Sequence, residues 1–310
     1  MAHVRNDFAS DRVSMFVVDP PSDLAPYLSG YYRTRILPGP PVSEWMPPEE
    51  ANLRTGNGET YLACIGPGEL KPIPEIIISG STDRGTRVQV SQGDYWGVGL
   101  TPAGWARFIG LPASDFANRN DDLAAYPALA HYHAMLAGVV AAGEDIDGAI
   151  DLMNAGFRVR LGSRSAEEST IHAVHHAIGS RRPSTVAQLA SMAGMNSRTF
   201  ERFCKRHFGF PAGTLQRRQR FLRSLGRYMM DPSMRWIDTL DSFYSDQAHF
   251  IREFRSVMGM TPGEYAALPH PIVGAAVKVT SASAGVAMQA LHTPRQTRGE
   301  RPIGAWDKAT

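Results

Sequence analysis

A repeat spaced by 50 residues constrains this chain more than anything in its composition: Phe200, Arg202 and Gly209 recur as Phe250, Arg252 and Gly259. Each glycine closes a helix-like run, where a left-handed backbone suits a residue without Cβ. Around the first copy, Val186, Leu189, Ala190 and Ala193 fall at i, i+3, i+4 and i+7; Gly194 then interrupts, and Asn196 or Ser197 can cap the next helix. The pattern predicts helix, tight turn, helix. The second of these helices buries Phe200 and Cys204. It leaves Ser197, Arg198, Glu201, Arg202 and Lys205 outward, a set suited to the major groove of DNA.

Around the second copy, Trp236, Ile237 and Leu240 form one apolar stripe and Phe250, Phe254, Val257 and Met258 the next, with Ser245 as the cap between them. Asp246, Gln247, Ala248, Ile251 and Arg252 face outward. Between the units, Leu215, Phe221, Leu222, Leu225 and Met229 alternate with Arg217, Arg218, Arg220, Arg223 and Arg227, which predicts one linking helix with a basic face. Thr261-Pro262-Gly263-Glu264 reads as a capping box with proline in the first turn of a short final helix.

A chain of 310 residues exceeds one ordinary core, so two domains are expected, with the boundary near residue 165 in the small polar stretch Ser163–Ser169. The small net charge hides an asymmetry. Residues 1–165 hold 13 Lys and Arg against 19 Asp and Glu, whereas residues 166–268 hold 14 against 9, so the repeat region is the part fit for a polyanion. Val13 to Phe116 is rich in Gly and Pro and broken into short apolar runs (Tyr61–Ile65, Glu75–Ser79, Arg87–Val90 and Tyr95–Leu100), which predicts strands. Two helices should follow, one burying Leu129, Tyr132, Leu136 and Val139, the other Ile146, Ile150 and Met153. The fold class is therefore α+β: a β-rich, barrel-like N-terminal domain (1–165) with two helices, then an all-α domain (166–268) with two helix-turn-helix units. Residues 269–310, dominated by Ala, Ser, Thr, Val, Gly and Pro without periodicity, read as a flexible tail.

The runs Leu189–Arg202 and Ser245–Arg255, with the closing Gly259-Met260-Thr261-Pro262-Gly263-Glu264-Tyr265, resemble the AraC/XylS family of transcription regulators over roughly residues 170–268. Trp96–Leu123 resembles an uncharacterised N-terminal domain found in one branch of that family. The resemblance implies double-stranded DNA as partner and two recognition helices in successive major-groove segments, their centres ~34 Å apart. It implies base reading by Arg198, Glu201 and Arg202 in the first unit and by Gln247, Ala248, Ile251 and Arg252 in the second. It further implies a sensing or dimerising N-terminal domain, with a small-molecule effector, a second copy of the chain and RNA polymerase as further partners. Four positions depart from the family pattern. Phe243 stands where glycine is usual at the second turn, Thr239 where alanine is usual, Cys204 where a larger aromatic is usual, and Pro211-Ala212 where Ser-Pro is common. Phe203, beside Cys204, takes a more exposed position. A phenylalanine forced into left-handed geometry would cost ~1–3 kcal/mol, so the second turn is expected to be distorted and its contact weaker.

Other readings carry less. His131 with His133, and His172 with His176, lack a third nearby ligand, so no metal is expected, and no cofactor. Gly97–Gly104 lacks the Gly-Lys-Ser/Thr of a phosphate loop and predicts a strand and tight turn. Trp45, Tyr61, Trp96 and Trp105 are candidates for an effector pocket, though aromatics in a β-rich domain are ordinarily core. Two widely separated cysteines, Cys64 and Cys204, no apolar leader in Met1–Ser10 and no long apolar stretch fit a cytoplasmic, non-membrane protein. Two alternatives stand beside the regulator. One is a helix-turn-helix module fused to a cysteine-based DNA-alkylation repair enzyme using Cys64; the other is an architectural protein that binds DNA without sequence preference.

Overall fold

The computed structural model describes residues 5–162, 166–180, 184–241 and 244–284. The short apolar runs of the first hundred residues become β1 (Arg5–Ala9), β2 (Val13–Val18), β3 (Leu28–Ile36), β4 (Val42–Met46), β5 (Ala51–Gly56), β6 (Tyr61–Ile65), β7 (Lys71–Pro72), β8 (Ile76–Ser79), β9 (Thr86–Val90) and β10 (Gly93–Leu100). With the short β11 (Asn120–Asp122) they form two antiparallel sheets, one of seven strands in the order β1-β2-β3-β10-β5-β8-β11 and one of four, β4-β9-β6-β7. In the central strand of the larger sheet, Val98 lies opposite Tyr31 of β3 and Leu53 of β5, and none of the three is accessible to solvent. Gly97 is next to it. A Cβ there would stand 2.2 Å from the Tyr32 ring, so only glycine lets that tyrosine lie across the strand. The predicted strand and turn over Gly97–Gly104 thus forms, as the end of β10 and the start of α1 (Pro102–Gly104), which Thr101 caps.

The rest is helical: α2 (Ala130–Ala141), α3 (Ile146–Arg158), α4 (Glu168–Gly179), α5 (Val186–Met192), α6 (Ser197–Phe208), α7 (Ala212–Met230), α8 (Trp236–Thr239), α9 (Gln247–Met258), α10 (Pro262–Ala266) and α11 (Pro271–Ala284). Leu129, Tyr132, Leu136 and Val139 are buried as their spacing requires, as are Ile150 and Met153. An N-terminal sheet-rich domain is followed by a helical C-terminal region, in the α+β class the pattern indicated. Among the described residues no helix is long and apolar enough to cross a membrane.

One apolar core runs from the larger sheet (Phe16, Leu53, Val98) through α2 and α3 into Phe200, Phe208 and Leu215. The first helix-turn-helix unit therefore packs as an extension of the sheet's core. A second core joins Phe221, Leu225, Phe250 and Phe254 to Tyr265, Val273 and Val277.

Four local readings need correction. The stretch Ser163–Ser169 does not end as a linker: Glu168 begins α4 and is buried, accepting from the Tyr27 hydroxyl at 2.6 Å and pairing with Arg107. Residues 271–284 form a helix; its run of Ile, Val and Ala lacks periodicity because it is buried on several sides, with Ile272, Val273, Ala275, Val277 and Val279 all enclosed. Residues 285–310 lie outside the described residues. Phe203 is buried against Phe200, Phe208 and His207, and Ile237 is half exposed on a helix of only four residues.

The linking helix α7 also lacks the predicted basic face. Arg218 is buried, its Nη1 3.4 Å from the Glu49 carbonyl and 3.3 Å from that of Thr82, with Glu50 3.9 Å from Nη2. Arg223 donates to Asp241 at 2.6 Å, Arg220 pairs with Glu253, and Arg227 donates to the Leu240 carbonyl at 2.8 Å. Only Arg217 of the five is fully exposed. Helical spacing gave the face; it could not tell that partners from other segments cover it.

Burial pushes the Glu168 carboxyl upward, but the hydrogen bonds from Tyr27 and Arg107 and the guanidinium charge outweigh it and hold its pKa below the ordinary 4.5. A depressed carboxylate stabilises the fold above its unfolded value and loses that contribution as pH falls through the folded one. Glu168→Gln should therefore lower the denaturation midpoint at pH 7, and its gap from the native protein should close as the pH drops below 4.5. An equal gap at pH 7 and pH 4 would contradict this assignment.

Candidate nucleic-acid interface

Both repeat units are built by the same local devices. In the first, a capping box between Thr185 and Gln188 starts α5, and Gly194 turns the chain at φ 66°. Asn196 then caps α6, its Oδ1 accepting from Thr199 N at 2.9 Å, and Gly209 ends α6 at φ 86°. In the second unit Asp246, not Ser245, caps α9, accepting from His249 N at 2.6 Å; that bond first, and the nearby Arg252 and His249 charges after it, keep its carboxyl below its ordinary value. Gly259 ends α9 at φ 75°, and the Thr261–Glu264 capping box with Pro262 in the first turn starts α10 as the sequence indicates.

The helices between these caps are strongly two-sided. On α6, Phe200, Phe203, Cys204 and Phe208 are buried, and burial drives the Cys204 thiol up to about 12, so it acts as core. On the opposite side Ser197, Arg198, Arg202 and Lys205 are exposed and Glu201 is half-buried. On α9, Phe250, Phe254, Val257 and Met258 are buried while Gln247, Ala248 and Arg252 are exposed and Ile251 is half-buried. All nine predicted residues thus fall on the two outward faces. Arg206 and Arg255 are exposed on the same helices and were missed; the signal was there, since Arg206 stands four residues past Arg202 and Arg255 three past Arg252. These arginines make no ion pair among the described residues, in contrast to Arg220 and Arg223 of α7. Neutralised arginines hold the scaffold; the unpaired ones face solvent, available to phosphates and base edges.

Residues 189–267 match the helix-turn-helix domain family HTH_18. They form an AraC-type helix-turn-helix domain. DNA binding and transcription regulation are its class of function. No curated protein sequence matches the chain. Among solved structures, ToxT from Vibrio cholerae O395 is 10% identical, with 76% of this chain and 95% of that one covered and a TM-score of 0.42. Unsaturated fatty acid bound ToxT from Vibrio cholerae strain SCE256 is 10% identical over 73% and 91%, with a TM-score of 0.39. The AraC-like transcriptional activator CuxR is 9% identical over 68% and 80%, with a TM-score of 0.31.

Within the AraC-type domain, Thr239 is fully buried and donates its hydroxyl to the Trp236 carbonyl at 2.8 Å, so the larger side chain is absorbed by a hydrogen bond. Trp236 stacks on Tyr228 with ring centroids 3.9 Å apart and meets the edge of Phe254. Phe243, and with it the reading of a distorted turn, lies outside the described residues. Of the four aromatics considered for an effector pocket, Tyr61 and Trp96 line a cavity between the two sheets. Trp105 is core, its Nε1 donating to the Leu111 carbonyl at 2.7 Å, and Trp45 lies under the Arg87 guanidinium.

Phe254 has no solvent exposure and touches the rings of Phe221, Trp236, Phe250 and Tyr265. Phe254→Ala should cost about 3–5 kcal/mol of stability, whereas Arg252→Ala, one face away, should stay within about 0.5 kcal/mol. Chemical denaturation of the two variants checks the division of α9 into a structural and a binding side; comparable losses would remove it.

Proposed function

We propose that this chain is a sequence-specific transcription regulator that reads duplex DNA with α6 and α9, the two helices entering successive major-groove segments. The observation that carries this reading is the contrast between two sets of arginines. On α7, Arg218, Arg220, Arg223 and Arg227 are spent on internal carboxylates and carbonyls and only Arg217 stays exposed, while Arg198, Arg202 and Arg252 make no ion pair among the described residues and stand on exposed helix faces whose opposite sides are packed. Such side chains take no part in folding, and their chemistry matches guanine N7 and O6; Gln247 matches adenine, and Glu201 can accept from cytosine N4. Lys205, with Arg206 and Arg255, supplies the salt-dependent phosphate contacts that set register. The same reading gives the sheet-rich N-terminal part an effector role. It is supported by the cavity between its sheets, which is lined mostly by apolar side chains with a few polar groups.

A duplex selected from a random pool supplies the test. Arg202→Ala should weaken binding to the selected site by about 5- to 150-fold and binding to unrelated duplex by much less, as for a base contact. Lys205→Ala should weaken both to a similar degree and reduce the salt dependence. Equal losses for Arg202→Ala on both duplexes would place it on phosphate and argue for binding without sequence preference.

A further inference from the structure

We propose that α11 is both the roof of a ligand cavity and a strut of the second helix-turn-helix unit. An uncharged, mainly apolar molecule with one hydrogen-bond acceptor, bound beneath it, would then tighten α9. This rests on the effector role proposed for the sheet-rich domain, and it adds the ligand's chemistry and the route by which occupancy reaches DNA-reading elements.

The cavity has a volume of about 180 Å³ and lies between β2, β3, β5 and β10 of one sheet and β6 and β9 of the other. That is room for about six waters at ~30 Å³ each, a little more than the ~150 Å³ that takes a benzene, and so for a ligand of about seven non-hydrogen atoms. Close-packed interiors rarely leave such a space. Most of its wall is apolar, with Met15, Ile36, Val88 and Val90 contributing, and its polar groups include Arg54, Tyr32 and Asn52. Arg54 donates from Nε to the Tyr32 hydroxyl at 2.7 Å and from Nη2 to Glu49 at 2.6 Å, which leaves Nη1 without a partner among the described residues. Glu49 already balances the guanidinium charge, so the free donor calls for a neutral acceptor, such as a ketone, in place of an anion.

The roof is α11, through Ile272, Val273, Ala276 and Val277. Two of these, Val273 and Val277, also belong to the apolar core that holds Phe221, Leu222, Phe250, Phe254 and Tyr265. The helix start is pinned on both sides. The buried Glu44 of β4 accepts from the backbone nitrogens of Ile272 at 2.6 Å and Val273 at 3.0 Å. His270 stacks on Tyr265 of α10 at 4.2 Å between ring centroids, and its Nε2 lies 2.9 Å from the Tyr265 carbonyl. Filling the cavity gives the underside of α11 contacts that it has only when docked, so a ligand favours the docked state by its differential affinity and stiffens whatever that state supports. The valines that gain ligand contacts are the ones that meet the core of the second unit.

The experiment uses the full chain without DNA, with cyclohexanone as the neutral ketone probe, methylcyclohexane as its acceptor-free counterpart and cyclohexanecarboxylate as the anion. Calorimetry reads binding, and amide hydrogen exchange reads α5, α6, α9 and α11. Expected are binding of the ketone, about ten-fold weaker binding of methylcyclohexane, and at saturation about ten-fold slower exchange in α9 and α11 with α5 and α6 unchanged. Ala276→Trp, which fills the cavity from the roof, and Val88→Phe, which fills it from β9 without altering α11, should both abolish binding. No binding of any probe, stronger binding of cyclohexanecarboxylate than of the ketone, or binding that leaves α9 exchange unchanged would each overturn the proposal. Because no DNA is present, the outcome is independent of whether α6 and α9 read bases, and the test on selected duplex fails or succeeds separately.

Discussion

The burial of Arg218 governs the arrangement of this molecule. Its guanidinium leaves water in the middle of α7, and burial pulls its pKa down against the opposing charges of Glu50 and Asp83. The site is tolerable only because the loop after β4 turns the Glu49 carbonyl toward it and the segment after β8 does the same with Thr82. Glu50 is held in turn by His175 of α4, whose Nε2 is 2.8 Å from its carboxylate. A cationic helix that would otherwise stay at the surface is thereby fixed against the sheet-rich domain, with one unit of the AraC-type domain on either side.

From that fastening comes an unequal pair of units. The first shares its core with the sheets, so Phe200 and Phe208 belong to the same apolar cluster as Trp105 and Val98. The second is built on a separate core, to which, among the described residues, the sheets contribute Trp45 and Met46, and which borrows Val273 and Val277 from the helix that comes after it. Its interior polar groups form their own chain: Tyr244 donates to Glu253, Glu253 pairs with Arg220, and the Arg220 guanidinium lies 4.9 Å from the centre of the Tyr244 ring. The unit whose core takes in the cavity-roof valines is thus the one that leans on the C-terminal helix.

The glycine ends of α6 and α9, the Asn196 cap and the Thr261 capping box were legible because each depends on residues within one turn of the other, and the repeat because Phe200, Arg202 and Gly209 recur 50 residues on. So were the outward faces, because 3.6-residue spacing places a side chain on a side without knowing what lies across from it. The fate of the α7 arginines was not legible for that reason: Glu50, Glu253 and Asp241 reach them from segments 18 to 168 residues away. Residues 271–284 were misread because an amphipathic stripe signals a helix with one wet side, and a helix enclosed on several sides shows none. Phe203 looked exposed only while Phe200 and Cys204 were taken as the whole of the buried stripe.

If α7 holds the two units as one reading surface, the spacing of their sites on DNA is fixed. A footprint on a selected duplex should show protection over two successive turns, and inserting five base pairs between the two protected segments, half a turn, should weaken binding at least about ten-fold by moving one segment to the far side of the helix. Unchanged affinity and a second protected segment that simply moves with the insertion would contradict a rigid α7 and the account built on it.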